Sequence, residues 1–289
     1  MTGHKNVKRI IIYKFKQMQE RARHDPCWFA KKVLNADLDI WQVDIANAVA
    51  DLYRAKDDIP TVINHDLKNY FTIRSPHGPG KTWIAAFLMH WWNFHQVGRI
   101  VATAPKEGQL KTRLFPTFSE IASKAITGYR QILEIDTLKV TWGRNRDHFA
   151  IGETAKFAES LAGYHHDYIL YIVEEASGIQ ETLLPAREGA TSTGIMPVLI
   201  LIGNPTKNNG SFYARHNNKI VSKDYFRYHV SLDKTTRVSK EWVDKQIRKY
   251  GRNSPIVKVR CFGEFADSDP AQLLTMDWID RARHADHAA

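Results

Sequence analysis

The stretch YFTIRSPHGPGKTW, residues Tyr70–Trp83, decides how the rest of the sequence must fold. The apolar-rich residues from Phe71 to Ile73 predict a short strand, and a loop rich in Gly and Pro follows them. An apolar run of helix length begins at Trp83. A strand, a Gly-rich turn and a helix N-terminus in this order are typical of a phosphate-binding loop, or P-loop.

The loop Ser75–Thr82 carries the groups that nucleotide phosphates require. Backbone N–H groups at a helix start lack intrahelical partners and can bind phosphate oxygens. Lys81 supplies a positive charge for the terminal phosphates, and the Thr82 hydroxyl is a ligand for Mg²⁺. Gly78 and Gly80 keep Cβ atoms away from the phosphate. The alternative is a Gly/Pro turn that happens to contain Lys and Thr. The predicted nucleotide-binding residues of the loop are Ser75, which stands where the usual motif has Gly, then Pro76, His77, Gly78, Pro79, Gly80, Lys81 and Thr82.

Length and composition describe an ordinary folded protein. The 289 residues suffice for one large core, or for one core and a small appendage. No apolar run approaches the roughly 20 residues of a membrane span, and no signal peptide is evident. The two cysteines, Cys27 and Cys261, form no CxxC pair. We therefore expect a cytosolic protein without disulfides or a zinc site.

Positive charge is concentrated in two segments of a chain whose formal net charge is +10. Nine Lys and Arg against two acidic residues give the first 32 residues a net charge of +7. A second basic run lies between Lys245 and Arg260. Such segments suit a nucleic-acid backbone, and the alternative for each is a solvated helix face.

The second chemical signal is YILYIVEEA, residues Tyr168–Ala176. Its apolar run predicts a strand that is buried on both faces, as in a parallel sheet. Glu174 and Glu175 then come at the carboxyl end, where α/β sheets bind ligands. One carboxylate can hold Mg²⁺ and the next can polarise an attacking water. The alternative is an exposed Glu pair that ends a strand.

The third signal is MPVLILIGNPT, residues Met196–Thr206. Another apolar strand ends at a polar turn, where Asn204 could sense the terminal phosphate. The alternative is a plain turn, since Gly, Asn and Pro all favour one.

The remaining pattern predicts an α/β fold. Strands and helix-length segments alternate, which implies a mostly parallel sheet flanked by helices. Ile11, Phe15 and Met18 predict an amphipathic N-terminal helix. Upstream of the loop, the amide of Gln42 could donate to and accept from an adenine edge.

Taken together, these motifs resemble the N-terminal packaging ATPase domain of the large terminase subunit of tailed bacteriophages. The resemblance covers residues 41–265, and its motifs occur in family order. They are Trp41-Gln42, Gly80-Lys81-Thr82, ATAPKEGQ (102–109), VEEASG (173–178), IGNPT (202–206) and GEF (263–265).

The resemblance implies a P-loop NTPase of the ASCE/RecA-like type that uses ATP and Mg²⁺. Gln42 would contact adenine, and Arg74, Lys81 and Thr82 would bind phosphate and Mg²⁺. The remaining roles fall to Glu174 as the metal-side acid, Glu175 as the catalytic base and Asn204 as the coupling residue.

The resemblance also implies partners and a cellular setting. Members of that family thread double-stranded DNA into a procapsid as a ring of subunits, with a portal protein and a small terminase subunit. This chain would then act in the host cytoplasm, without a membrane, and in isolation it could be a monomer. An arginine finger from a neighbouring subunit has three candidates in this sequence: Arg113, Arg144 and Arg146.

Three segments are expected along the chain. Residues 1–40 form a basic helical extension, 41–265 the ATPase domain and 266–289 a linker or tail. Full-length relatives continue into a nuclease that needs several carboxylates around two metals. No strands are predicted after residue 265 to gather such carboxylates, so we expect no nuclease activity from this chain.

Two other functions fit the same motifs. One is a helicase-like, nucleic-acid-stimulated ATPase, for which a second RecA-like half would be expected. The other is a nucleotide-gated DNA-binding or assembly module that does not hydrolyse ATP. Phosphate release with and without DNA would separate the second from the two ATPases.

Overall fold

The structure is a computed structural model, and it describes residues 2–63, 66–143, 145–154, 164–181 and 194–266. For residues 2–11 only the backbone is described. Arg144, one of the arginine-finger candidates, and the expected tail from residue 267 onward lie outside these ranges.

One sheet of eight strands organises the described residues, in the order β3-β4-β5-β2-β6-β7-β1-β8. All neighbours from β5 to β8 in this order are parallel, whereas β3, β4 and β5 pair antiparallel. The strands are β1 (Tyr70–Arg74), β2 (Arg99–Ala104), β3 (Leu133–Ile135), β4 (Lys139–Trp142), β5 (Phe149–Thr154), β6 (Tyr168–Glu174), β7 (Met196–Gly203) and β8 (Tyr225–His229). The expected mostly parallel α/β sheet is confirmed.

Helices cover the sheet. They are α1 (Thr2–His24), α2 (Pro26–Lys32), α3 (Ile40–Lys56), α4 (Lys81–His95), α5 (Glu107–Gln109), α6 (Phe115–Lys124), α7 (Thr127–Arg130), α8 (Gly210–Asn217) and α9 (Lys240–Tyr250). A π-helical turn, Leu110–Leu114, joins α5 to α6. Near the C-terminal end of the described residues, a helical turn (Pro255–Val257) is followed by a π-helical turn (Lys258–Phe262).

The central strands have no solvent-facing side, which explains their unbroken apolar sequences. Every residue of β7 is buried, and so are six of the seven residues of β6. Phe71 and Ile73 of β1 join α4 in the larger core cluster. On the other face, Tyr171 and Leu201 pack with Phe212 of α8. A polar residue can therefore reach water only where these strands end.

The N-terminal helices share this main core. Phe15 of α1 meets Phe94 of α4 edge-to-face, with ring centroids 5.3 Å apart. Phe29 of α2 is fully buried against the same Phe94. A buried ion pair, Arg54 to Asp51 at 2.6 Å, lies within α3 beside them. The N-terminal helices therefore pack on the main core, and the segment boundary expected near residue 40 stays a prediction.

β4 and β5 form a β-hairpin at the antiparallel edge of the sheet. β4 pairs antiparallel with β5, with Val140 opposite Ala150. Among the described residues, no helix is both long enough and apolar enough to cross a membrane.

Candidate nucleotide site

Three strand ends meet at one edge of the sheet. β7 lies between β1 and β6 and is parallel to both. Arg74 is in register with Gly203, and Glu174 is in register with Ile202. The residues that follow these strands therefore emerge side by side at the carboxyl edge, which is where ligands bind to α/β sheets.

The loop after β1 has a glycine-dependent backbone. Gly78 and Gly80 have φ angles of +85° and +97°, a region that residues with a Cβ seldom adopt. Gly80 is the N-cap of α4 and supplies no side-chain acceptor. The first N–H groups of α4 are thus left to an external anion.

Lys81 begins α4 and lies over the loop. Its Nζ donates to the carbonyl oxygen of Pro76 at 3.0 Å. Burial lowers the pKa of Lys81 to about 8, although the nearby charges of Glu175 and Glu174 act in the opposite direction. A phosphate would complete the coordination of this partly desolvated ammonium group.

The Thr82 side chain lies close enough to the Glu174 carboxylate to favour its ionised form. Glu174 is only 4% exposed. Burial is the main cause that raises its pKa to about 7, and the charge of Glu175 raises it further. Thr82 and Lys81 both lower it. A cation at this point would stabilise the ionised carboxylate.

The Thr82 hydroxyl and the Glu174 carboxylate fit Mg²⁺. Both are hard oxygen ligands, and Mg²⁺ is usually held by one or two protein oxygens with phosphates and waters completing the octahedron. Within the described ranges, no group of three or more His, Cys, Asp or Glu side chains could hold a metal by itself. With a nucleotide bound, phosphate oxygens and waters would supply the remaining ligands.

Glu175 has an unusual backbone. Its φ of 50° and ψ of 47° are left-handed, and it caps a short 3₁₀ turn, Ala176–Gly178. The N–H of Gly178 donates to the Glu175 carbonyl oxygen at 2.8 Å. A left-handed residue with a Cβ costs about 1–3 kcal/mol and is found mainly where surrounding contacts enforce it. Here the left-handed conformation makes the chain leave the line of β6 at Glu175, whose side chain is partly exposed.

The end of β7 contacts both neighbouring loops. Asn204 donates from Nδ2 to the carbonyl oxygen of Ser75 at 2.8 Å. Thr206 donates from Oγ1 to Oγ of Ser177 at 2.9 Å. A Cβ on Gly203 would lie 2.9 Å from the backbone nitrogen of Ala176, so this strand end passes very close to the Glu175 turn. Sequence reasoning found Asn204 but missed the hydroxyl pair, although both hydroxyls lie in the quoted motifs.

Gln42 lies beneath the loop and is fully buried. Its Oε1 accepts from the backbone N–H of Asp39 at 2.9 Å, and its Nε2 donates to the carbonyl oxygen of Gly80 at 3.3 Å. Next to it, Trp41 donates from Nε1 to the carbonyl oxygen of Pro79 at 3.2 Å. In this structure both side chains support the loop, and the contact of Gln42 with adenine stays a prediction.

Arg237 is a neighbour of the loop that sequence reasoning missed. Its guanidinium carbon lies 5.5 Å from the centroid of the Trp83 ring. Its Nη1 lies 3.2 Å from the point that a Cβ on Gly80 would occupy. No local motif marks Arg237, because the approach of its loop depends on Thr235 and Thr236 binding the Asp39 carboxylate.

Arg74 lies on the other face of β1. It lines a pocket of about 560 Å³ together with Tyr213 and Glu264, and its guanidinium carbon is 5.4 Å from the centroid of the Phe265 ring. Burial lowers the pKa of Arg74, and the charge of Glu264 partly offsets this. Strand alternation explains the location, because Phe71 and Ile73 take the α4 face.

The segment that contains the GEF motif packs on the same loop. The N–H of His77 donates to the Arg260 carbonyl oxygen at 2.9 Å. Gly263 has a φ of +64°, and a Cβ there would lie 2.6 Å from the nitrogen of Pro76. Burial lowers the pKa of His77, and the charges of Lys81 and Arg260 add to this.

Two of the three arginine-finger candidates lie within the described residues. Arg113, in the π-helical turn, is close enough to lower the pKa values of both Lys81 and Glu174 by its charge. Arg146 lies in the loop between β4 and β5. Arg144 is outside the described residues. The structure therefore places one of the three near this chain's own site.

Comparison with known proteins gives one curated relative and several solved structures. No family model matches the sequence. A probable terminase large subunit of Enterobacteria phage P7 is 29% identical over 130 residues, which is 43% of this chain and 26% of that protein. This chain thus spans about a quarter of the curated relative that it matches.

The solved structures cover more of the chain. The large terminase of bacteriophage HK97 is 17% identical, covers 93% of this chain and 52% of its own, and has a TM-score of 0.55. A large terminase from a thermophilic bacteriophage, in complex with ADP, is 12% identical over 69% of this chain and 48% of its own, with a TM-score of 0.53. An ATPase-domain variant of the Thermus phage P74-26 large terminase is 14% identical over 75% of this chain and 98% of its own, with a TM-score of 0.50.

At these identities the solved structures show the fold, and the curated match adds a likeness of sequence. The resemblance stated from the motifs is thereby supported independently. The chain is similar in sequence to a phage large terminase and has the P-loop NTPase fold of the large terminase ATPase domain.

Proposed function

We propose that this chain is the ATP-driven motor domain of a terminase large subunit, which hydrolyses ATP with Mg²⁺ and moves double-stranded DNA into a procapsid. One observation carries the proposal. Lys81, Thr82, Glu174 and Glu175 lie close together at one edge of one sheet. The ADP complex of the terminase from the thermophilic phage, which shares the fold, supports nucleotide binding.

The proposed roles follow from the chemistry of each group. The N–H groups at the start of α4 and the Lys81 ammonium bind the phosphates. Thr82 and Glu174 hold Mg²⁺, which when bound would neutralise charge on the phosphates. Glu175, which follows the metal-binding Glu174 in sequence, orients the attacking water. Phosphoryl transfer needs little more than such positioning and electrostatic stabilisation.

Three proposed roles are less direct. Gln42 contacts the adenine base, and its buried amide also supports the loop that would bind the phosphates. Asn204 couples the site to the rest of the domain, since its amide touches the loop backbone. Arg74 would reach phosphate only after a change of side-chain position, because it lies on the other face of β1.

The proposed partners are duplex DNA, a portal protein, a small terminase subunit and further copies of this chain in a ring. The family resemblance supports them, and the basic character of the chain suits DNA. The host cytoplasm is the corresponding place of action.

The test is phosphate release by wild type and Glu175→Ala, titrated with duplex DNA at two salt concentrations. Glu175→Ala should bind ATP but release phosphate at least about 100-fold more slowly. Glu134→Ala, at an exposed glutamate of β3, is the control and should hydrolyse as wild type does.

Three outcomes would overturn parts of the proposal. Wild-type rates in Glu175→Ala would remove the assigned base. No phosphate release from wild type at any DNA concentration, with ATP bound, would favour the nucleotide-gated module. Strand separation on a forked duplex would favour the helicase-like enzyme.

A further inference from the structure

The loop that ends β7 connects the two halves of the proposed phosphate site. Asn204 holds the Ser75 carbonyl oxygen on one side, and Thr206 holds the Ser177 hydroxyl on the other. Asn204 and Thr206 are two residues apart, with Pro205 between them. A short, stiff loop therefore bridges the P-loop and the turn that carries Glu175.

The Glu175 turn needs such support. The backbone of Glu175 is left-handed, a conformation that is unfavourable for a residue with a Cβ unless other contacts stabilise it. The turn continues as a single 3₁₀ turn, Ala176–Gly178, so it gains little from helical hydrogen bonding. Ser177 lies in the middle of that turn, where a hydrogen bond fixes its position relative to β7.

Packing makes the same connection tight. Gly203 leaves no room for a Cβ, because the nitrogen of Ala176 would be 2.9 Å away. The Ser177 hydroxyl belongs to a residue only 9% exposed, whereas Thr206 is exposed. A water that replaced the Thr206 hydroxyl would satisfy Ser177 but would not tie the turn to the end of β7.

We propose that Thr206 and Ser177 are positioning residues that hold the Glu175 turn in its left-handed conformation, and so set the rate of the hydrolytic step. This inference rests on the proposed function, since Glu175 is the group being positioned. Neither hydroxyl acts on nucleotide directly. Removing the bond should thus change turnover and leave nucleotide affinity alone.

The first measurement separates turnover from binding. Thr206→Val should lower kcat about five- to tenfold, with the affinity for ATP unchanged. Thr206→Ser retains the hydroxyl and should restore kcat. Ser177→Ala should match Thr206→Val, and the double variant should be no slower than either, as expected for one shared interaction.

The second measurement does not need hydrolysis. The N–H of Gly178 donates to the Glu175 carbonyl oxygen, so its hydrogen exchange reports on the turn. Exchange at Gly178 should accelerate in Thr206→Val and return to the wild-type rate in Thr206→Ser. Thr141→Val is the matched control, because it removes a Thr hydroxyl bond to Glu134 between β3 and β4, away from the Glu175 turn.

The outcomes are distinct. An active wild type with an equally active Thr206→Val, or with unchanged exchange at Gly178, overturns the positioning role alone. A Thr206→Ser variant as slow as Thr206→Val also overturns it. A folded wild type no more active than Lys81→Met overturns the proposed ATPase, and the positioning of its base with it.

Discussion

Ionisable groups are buried at both ends of α4, but their pKa values differ between the two ends. At the N-terminal end, Lys81 and the adjacent Glu174 keep pKa values near neutrality, about 8 and about 7, although burial disfavours both charges. Toward the C-terminal end, His90 and His95 are fully buried with pKa values of about 3. The same desolvation acts at both ends.

Partners explain the difference. His90 has both ring nitrogens bonded, to the Tyr129 hydroxyl at 2.8 Å and to the Phe118 carbonyl oxygen at 3.0 Å. A carbonyl only accepts, so we infer that Nε2 carries the proton and Nδ1 accepts from Tyr129. A neutral ring therefore satisfies this site. Lys81 and Glu174 instead stay close to titration, which is the state of groups that await a charged ligand.

The largest expected effect tests the N-terminal end. Lys81→Met should lower phosphate release by about 100-fold or more, because the charge that faces the terminal phosphates is lost. Its melting temperature should equal or exceed that of wild type, since a desolvated charge is removed. Phosphate-release assays and thermal unfolding check both points, and a large loss of stability would contradict our interpretation of Lys81.

The matching change at the C-terminal end is His90→Phe. It removes the two hydrogen bonds of the His90 ring, to the Tyr129 hydroxyl and to the Phe118 carbonyl oxygen, and should cost about 2–3 kcal/mol of unfolding free energy. Hydrolysis per folded molecule should not change. Denaturant unfolding with parallel activity measurements tests this. A variant that is folded but hydrolyses ATP much more slowly would contradict the expected difference between the two ends of α4.

Acid should destabilise the C-terminal end. The folded-state pKa values of His90 and His95 lie below the usual 6.5, so the unfolded chain binds protons that the folded chain does not. The stability gained by keeping them neutral is complete above about pH 6.5 and is lost as the pH falls toward 3. Each should account for about 2 kcal/mol between pH 7 and pH 5.

His90→Phe sharpens that prediction. The variant lacks one of the two groups, so its unfolding free energy should fall less steeply over the same interval. Parallel slopes for the variant and wild type would show that His90 does not titrate as its burial implies.

The smallest effect concerns the pH dependence of nucleotide binding. The proposed binding of nucleotide with Mg²⁺ requires ionised Glu174, hence a pH above about 7, and protonated Lys81, hence a pH below about 8. Affinity should peak between these values and fall about tenfold for each unit outside them. Calorimetric titration of Mg²⁺ and a non-hydrolysable ATP analogue tests this, and a flat profile between about pH 5.5 and 7 would contradict the raised pKa of Glu174.

The sequence predicts the strands around the site because their signal is local. The runs YILYIV and MPVLILI are apolar on both strand faces, and the sheet buries both. Gly78 and Gly80 also act locally, through the φ angles that they permit. Since the strands are parallel, their carboxyl ends share an edge, and the clustering of their polar ends follows.

The remainder depends on contacts between distant segments. The approach of Arg237 to the loop requires Asp39 and Thr235, which are 196 residues apart. The turn that carries the left-handed Glu175 is bonded through Ser177 to Thr206. Thr206 follows a different strand, so the local sequence around Glu175 does not predict this contact. Arg74 precedes the loop motif directly in sequence, which suggests phosphate binding. Strand alternation nevertheless puts its side chain on the face of β1 opposite Phe71 and Ile73.

The close contact of Gly263 with Pro76 has a mechanical consequence. Because no side chain separates the two backbones, and because the His77 N–H donates to the Arg260 carbonyl oxygen, we expect the stretch from 260 to 263 and the P-loop to move together. A force applied to the polypeptide just after Gly263 would then reach the P-loop through these two backbone contacts, without passing through the hydrophobic core.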